Sequence, residues 1–188
     1  VDNRLAKVST GAKTVEYGYD SSGRRIKRLV KERATTTETH YKVDHQRNYS
    51  EILVESTKVN SGAWVDTVHV HTPDGLGELI ASTTAGAQTQ LFSDGLGSVR
   101  VGQTAATSHA FSYDAFGIAL GATEGMPANA ADAAATSHRY TGEYADSQTG
   151  LLHLRARDYD PQVGRFISMD EHPGKESIPL TLNKYIYV

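Results

Sequence analysis

The sequence predicts an all-β fold, a curved antiparallel sheet built from short hairpins, and three observations carry that expectation. A Tyr- or Phe-rich stretch followed by Asp-x-x-Gly recurs at Asp20–Gly23, Asp74–Gly77, Asp94–Gly97 and Asp114–Gly117, and the last three begin 20 residues apart. A period near twenty with a turn signal in each unit marks a chain laid down as repeated supersecondary units. The apolar residues come in short alternating runs, and no window of about 11 residues carries the 3.6-residue stripe of a helix.

From the N-terminus, Tyr17-Gly18-Tyr19 leads into the first Asp turn, where Ser22-Gly23 can supply the tight corner. Six of the ten residues Arg24–Arg33 are basic. In an acidic chain this reads as a solvated or edge-protecting strand, and no nucleic acid partner is expected. Glu51-Ile52-Leu53-Val54-Glu55 reads as a strand, with Ser61-Gly62 as the following turn. Val68 and Val70 then alternate with His69 and His71, one strand face apolar and the other solvated. Asp-Gly at 74–75 and 94–95 offers the positive φ angles of a tight hairpin, and Gln90-Leu91-Phe92 and Ser98-Val99-Arg100-Val101 read as further strands. The Ala-rich run Ala128–Ala135 lacks large apolar anchors and is expected as a surface loop with one helical turn.

In each Asp-x-x-Gly unit the Asp is expected to bond its own turn's backbone while the Gly takes the left-handed corner. Leu, Ile and Val alone would make a thin core. The ten Tyr fill the gap, because each ring buries ~150–250 Å² and keeps a polar handle. Ladders of stacked Tyr from successive hairpins are expected.

Composition narrows the function. The chain has 188 residues, no Cys and a net charge of −3, about one ordinary domain's worth of sequence. Absence of Cys excludes a disulfide scaffold and a Cys-ligated metal or nucleophile. No stretch approaches the ~20 apolar residues of a membrane span. The chain opens Val1-Asp2-Asn3-Arg4, with neither an initiator Met nor a basic-then-apolar leader, and is expected to be a fragment of a longer protein. Residues 1–58 carry 12 basic and 8 acidic groups whereas residues 59–188 carry 7 and 14, so two differently charged surfaces are expected. A phosphate-cradling Gly loop, a Gly-x-Ser-x-Gly elbow and a His-Glu-x-x-His motif are all missing, so no cofactor is expected and a general hydrolase or kinase has no support. His69 and His71 have a legitimate metal-ligand spacing, but no Cys and no nearby carboxylate pair completes a site, and no metal is expected.

Tyr17-Gly18-Tyr19-Asp20-Ser21-Ser22-Gly23-Arg24-Arg25 resembles the YD repeat, and Phe111-Ser112-Tyr113-Asp114-Ala115-Phe116-Gly117 resembles a second copy. A longer match runs through Arg139-Tyr140-Thr141-Gly142-Glu143-Tyr144, then Thr149-Gly150-Leu151-Leu152-His153-Leu154-Arg155-Ala156-Arg157-Asp158-Tyr159-Asp160-Pro161, then Gly164-Arg165-Phe166-Ile167-Ser168-Met169-Asp170. It resembles the core-associated C-terminal motif of Rhs and YD-repeat proteins, a family that includes bacterial polymorphic toxins, the C components of insecticidal toxin complexes and the teneurins. The resemblance implies a very large secreted or delivered protein whose repeats coil into a hollow β-shell, the Rhs cocoon, around a C-terminal toxin domain. Residues 1–137 would be YD-repeat sheet and residues 138–188 the core-associated plug. The family's cleavage motif, an Asp-Pro-x-Gly, is expected just downstream of Leu182-Asn183-Lys184-Tyr185-Ile186-Tyr187-Val188.

The resemblance also implies an aspartyl self-cleavage, carried onto Arg157-Asp158 and Asp170, so the chain is at most an autoprotease acting on itself. Two carboxylates near a peptide bond can divide the work, one ionised and one protonated. In a continuous strand Leu152, Leu154, Ala156 and Asp158 would share one face, with desolvation raising the pKa of Asp158 and making it the protonated partner. The alternative is that Asp158 and Asp160 shape the turn at Pro161 and Asp170 accepts backbone hydrogen bonds. The expected function is a shell module that encloses a toxin and positions its cut site, with the rest of the shell and the toxin as partners. The competing reading is an extracellular adhesion or glycan-binding module. Open sheet edges would favour edge-to-edge self-association of an isolated arc.

Overall fold

The computed structural model describes residues 3–46, 50–73, 78–120 and 136–187. Ten strands form one sheet in strict chain order: β1 (Lys7–Thr10), β2 (Lys13–Tyr19), β3 (Arg25–Glu32), β4 (Thr35–Val43), β5 (Ile52–Val59), β6 (Val65–His71), β7 (Leu79–Thr84), β8 (Ala87–Ser93), β9 (Val99–Gln103) and β10 (Ser108–Ala110). Each pairs antiparallel with its neighbour in sequence, so the sheet is a meander. A small hairpin follows, β11 (Ser112–Tyr113) with β12 (Ala119–Leu120). The C-terminal segment forms a second, four-stranded sheet from β13 (Tyr144–Ala145), β14 (Leu152–Leu154), β15 (Arg157–Asp160) and β16 (Arg165–Phe166). Tyr140–Gly142 and Pro179–Leu182 are short 3₁₀ turns. No helix among the described residues is long and apolar enough to cross a membrane.

The Asp-anchored turns form as expected at three of their four sites. Asp20 Oδ1 accepts from the Ser22 and Arg24 amides at 2.8 and 2.9 Å, Asp94 Oδ1 from Leu96 and Ser98 at 2.9 and 3.0 Å, and Asp114 Oδ1 from Phe116 and Ile118 at 2.9 and 2.8 Å. The left-handed corner falls on the last residue of the unit, as at Gly97 with φ 80°. The Asp94-Gly95 dipeptide therefore does not make the tight turn predicted for it, since a five-residue loop replaces it. At Ser61-Gly62 the positive φ likewise belongs to Asn60. Asp74–Gly77 and Ala128–Ala135 lie outside the described residues. The pairing register slips at Gly18/Tyr19, Lys42/Val43, Val70/His71 and Phe92/Ser93, each immediately before a loop on the same side of the sheet. Such bulges add local twist.

The hydrophobic core is thin, as predicted, and divides into Val15, Tyr17 and Val30 at one end and Leu79, Leu91, Val99 and Phe111 at the other. Tyr rings fill the space by a different arrangement from the predicted ladder. Two pairs run from sheet or hairpin to the C-terminal segment, edge to face, Tyr41–Tyr144 at 5.6 Å and Tyr113–Tyr140 at 5.7 Å, and a third, Tyr159–Tyr187 at 4.5 Å, is tilted and lies within that segment.

Between the two ends, the polar residues face in. His69 is 5% exposed, whereas Val68 and Val70 are 45% and 43% exposed. The basic strand β3 lies between β2 and β4, and Arg25 and Arg28 are buried. The expected solvated His face of β6 is thus overturned, and so are the edge position of β3 and the exposure of Arg25 and Arg28, whereas Lys27 and Lys31 on β3 do face solvent. The reason is the C-terminal segment, which covers this face and brings carboxylates to it; a buried guanidinium is tolerable only when so paired.

Candidate functional site

The sheet and the C-terminal segment meet in a buried polar seam. At its β3 end, Arg25 Nη2 bonds both carboxylate oxygens of Asp158, at 2.8 and 2.9 Å. The guanidinium lies over the Tyr17 ring, 4.0 Å from its centroid, and Tyr19 Oη accepts from Nη2 at 3.3 Å. Next along β3, Arg28 Nη1 bonds Asp146 Oδ1 at 3.0 Å, and Tyr17 Oη donates to Asp146 Oδ2 at 2.7 Å. Asp146 also begins a turn of its own, accepting from the Gln148 amide at 2.9 Å, so it couples the segment's local fold to the sheet. Nε and Nη1 of Arg25 and Nε of Arg28 have no hydrogen-bond partner among the described residues, and stacking on Tyr17 partly offsets that cost for Arg25.

Asp158 comes to this seam by an unexpected route. The chain reverses at Arg155, whose φ is 59°, and β14 and β15 pair with His153 opposite Asp158 and Leu154 opposite Arg157. The continuous apolar row ending in Asp158 therefore does not exist. Instead His153 Nδ1 donates to Asp158 Oδ1 at 3.1 Å. Burial alone would raise the Asp158 pKa, but the His153 bond and the Arg25 charge together hold it below the usual carboxylate range. Asp158 is ionised, the opposite of the protonated partner expected. His153 is held neutral, its pKa lowered by burial and then by Arg25.

Arg157 and Asp170 occupy the other side of β15. Arg157 Nη2 lies 2.9 Å from Asp170 Oδ2, its guanidinium stacks 3.6 Å from the Phe166 ring centroid, and Nη1 donates to the Lys184 carbonyl at 3.3 Å. The Asp170 amide donates to the same carbonyl at 2.8 Å, and Asp170 Oδ1 accepts from the His172 amide at 2.9 Å. That amide, aided by the Arg157 charge, outweighs the upward push of burial and holds Asp170 below its ordinary pKa. The structure thus joins Arg157 to Asp170 and to the tail, and joins Asp158 to Arg25. The three residues predicted together form two separate pairs.

A third cluster takes in His69, which the sequence offers as a metal-ligand candidate without a carboxylate to complete a site, together with Glu55 and His138, which the sequence does not single out. Glu55 Oε1 accepts from His69 Nε2 at 2.9 Å and from Ser137 Oγ at 2.6 Å, and Glu55 Oε2 accepts from Tyr144 Oη at 3.1 Å. His69 Nδ1 meets Ser82 Oγ at 2.9 Å, and the His138 ring lies 4.9 Å from that of His69. Burial would raise the Glu55 pKa, but its donors hold it at about 2, and burial drives His138 down to about 3. A cavity of about 650 Å³ opens beside this cluster, lined by Glu55, His69, Ser137 and Tyr144 among others. The sequence signals were present: the His face of β6, and Glu55 within the neighbouring strand β5. Nothing local said that the segment would cover them.

The chain matches the teneurin YD-shell family model over residues 4–187. It is 28% identical over 174 residues to the tRNA3(Ser)-specific nuclease WapA of Bacillus spizizenii, which covers 91% of this chain and 7% of that protein. The tRNA nuclease WapA of Bacillus subtilis is 44% identical over 50 residues, 27% of this chain and 2% of that protein. Salivary gland surface protein 1 of Aedes aegypti is 28% identical over 174 residues, 87% of this chain and 5% of that protein. Among solved structures, the TcdB2–TccC3 complex without its hypervariable C-terminal region superposes with a TM-score of 0.69 at 20% identity, over 98% of this chain and 9% of that one. A Photorhabdus luminescens Tc holotoxin pore gives the same TM-score and identity. The chain therefore spans less than a tenth of these relatives, whose fold it shares. By its family match and its repeat pattern, the chain belongs to the teneurin YD-shell family, with the Rhs and YD-repeat proteins.

Proposed function

We propose that this chain is wall and plug of an Rhs-type toxin shell, a secreted protein that encloses a C-terminal toxin domain and positions its self-cleavage. The observation that carries this reading is the buried seam: a ten-stranded wall fastened to a C-terminal segment by Arg25–Asp158, Arg28–Asp146 and Glu55–Tyr144. A wall needs long sheet with little core of its own, and a plug needs fixed attachment points inside it. β1 has one open edge, which neighbouring wall strands would cover in the whole protein.

In this reading Arg157 and Asp170 hold the tail leading to the cut, through the Lys184 carbonyl, and Asp158 fixes β15 so that Arg157 faces them. Asp170, with a side chain 40% exposed, is the carboxylate that can reach a peptide bond arriving from downstream. The test uses the full-length natural protein. Wild type should yield a cut C-terminal domain that stays protected from added protease, and Asp170→Asn should stay uncut while remaining folded. Undiminished cleavage in both Asp158→Asn and Asp170→Asn removes the catalytic assignment, and a C-terminal domain digested at once in the intact protein removes the enclosure.

A further inference from the structure

We propose that Glu55, His69 and His138 form a binding site for a divalent transition ion of the zinc class, stapling the C-terminal segment to the sheet. The donor set is two imidazoles and one carboxylate, which suits Zn²⁺ and its borderline neighbours over Ca²⁺ or Mg²⁺. One ligand atom from each residue lies within 4.8 Å of the other two. Ligand atoms around tetrahedral zinc sit about 3.3 Å apart, given metal–ligand bonds of about 2.0–2.1 Å. Glu55 Oε1 and His69 Nε2 are already 2.9 Å apart, so side-chain movement of about an ångström or two completes the triangle.

The surroundings meet the other requirements of such a site. Glu55 and His69 come from paired strands β5 and β6, with Glu55 opposite Thr67 and His69 two residues further, so their geometry is set by the sheet. His138 comes from the segment, where it bridges to Tyr144. Each sheet ligand has an outer partner. Ser82 Oγ contacts His69 Nδ1 at 2.9 Å, and Tyr144 Oη holds the second Glu55 oxygen at 3.1 Å. Such partners orient ligands and raise their basicity. Binding requires the proton on His69 Nε2 to be replaced by the metal. The imidazole takes the other tautomer, its Nδ1–H donating to Ser82, whose hydroxyl turns from donor to acceptor, so no net proton is lost at His69. The 650 Å³ cavity supplies an entry path and room for water as fourth ligand. Arg28, Arg139 and Arg155 are the cations around the site; Arg28 is paired with Asp146 and Arg155 with Glu143, which reduces their repulsion of a bound cation.

The experiment titrates the whole 188-residue chain at pH 7.5 with Zn²⁺ by calorimetry and with Co²⁺ by visible absorption. One equivalent should bind with micromolar affinity or tighter, and Co²⁺ should give the intense bands of a four-coordinate site. His138→Gln and Glu55→Gln should each weaken binding at least tenfold, while the surface variant His40→Ala should match wild type. Because the two buried variants could unfold, imidazole ¹⁵N shifts of wild type provide a second readout, with two histidine rings responding to one equivalent of Zn²⁺. Absence of stoichiometric uptake by wild type overturns the proposal. So does undiminished binding in folded buried variants, or ¹⁵N shifts confined to exposed histidines.

Discussion

Arg157 and Asp158 are adjacent in the chain, lie on opposite faces of β15, and belong to Arg–Asp pairs of different character. In the Arg25–Asp158 pair the side chains are 3% and 5% exposed, whereas in Arg157–Asp170 they are 20% and 40% exposed. The lengths hardly differ, 2.8 against 2.9 Å. Burial therefore sets what each pair does. An exposed pair shares its charges with water and contributes little. A buried pair has given up that hydration, so its value lies in the damage done when one partner is removed. The buried pair fastens the segment in one register, and the exposed pair leaves a carboxylate accessible beside the tail.

The largest expected effect follows from breaking the buried pair on one side only. Asp158→Asn leaves Arg25 charged, buried and with two nitrogens already lacking partners, and should cost about 3–5 kcal/mol in chemical denaturation. The double variant Arg25→Met with Asp158→Leu should recover most of that loss, since a buried ion pair can be replaced by apolar groups of similar volume at little cost. Equal destabilisation in single and double variants would break the comparison.

Next comes pH. His153 has a folded pKa below its ordinary 6.5, so the folded state binds fewer protons than the unfolded one, and stability falls as the pH drops below about 6.5. Asp158 is also depressed below its ordinary 3.8, so its contribution is complete above that value and is lost as the pH falls through the folded pKa. Both act in the same direction. The charged groups facing His153 are Arg25, Asp158 and Arg4. Hydrogen exchange across residues 136–170 should quicken between pH 7 and 5 relative to β2–β4, and steepen further below about pH 4. His153→Gln, which retains a donor for Asp158, should flatten the upper part of that profile.

A smaller effect is expected where the β11–β12 hairpin touches the segment. Gly117 has φ 92°, and a Cβ there would fall 2.6 Å from Tyr140 Cδ1. Tyr140 is held in place by its hydroxyl on the Ala115 carbonyl at 2.9 Å, so it cannot simply swing away. Gly117→Ala should cost about 1–3 kcal/mol and loosen residues 139–144 in hydrogen exchange.

What was legible in the sequence divides along the same line as the two pairs. The Asp turns at 20, 94 and 114 were readable because their chemistry is complete within five residues, and the meander followed from their spacing. The seam was not, because Arg25 and Asp158 stand 133 residues apart and only the folded segment brings them together. Alternation showed that β6 has a Val face and a His face, but not which one would be covered. The reversal at Arg155 carries no Gly, Pro or Asn to announce it, so Asp158 was placed on the wrong face of its strand.

The smallest stability effect is the most informative about function. Asp170→Asn removes one partner of the exposed pair, while Arg157 keeps its stacking on Phe166 and its bond to the Lys184 carbonyl. The loss should be about 0–1 kcal/mol, the range of solvent-shared pairs. If Asp170 takes part in cutting, the same variant abolishes cleavage in the full-length protein while its denaturation midpoint barely moves. Asp158→Asn should instead lower both together, because it loosens the platform on which Arg157 is held. A variant at Asp170 that lost stability and cleavage in proportion would erase the distinction between the two faces of β15, and with it the assignment of one face to fastening and the other to chemistry.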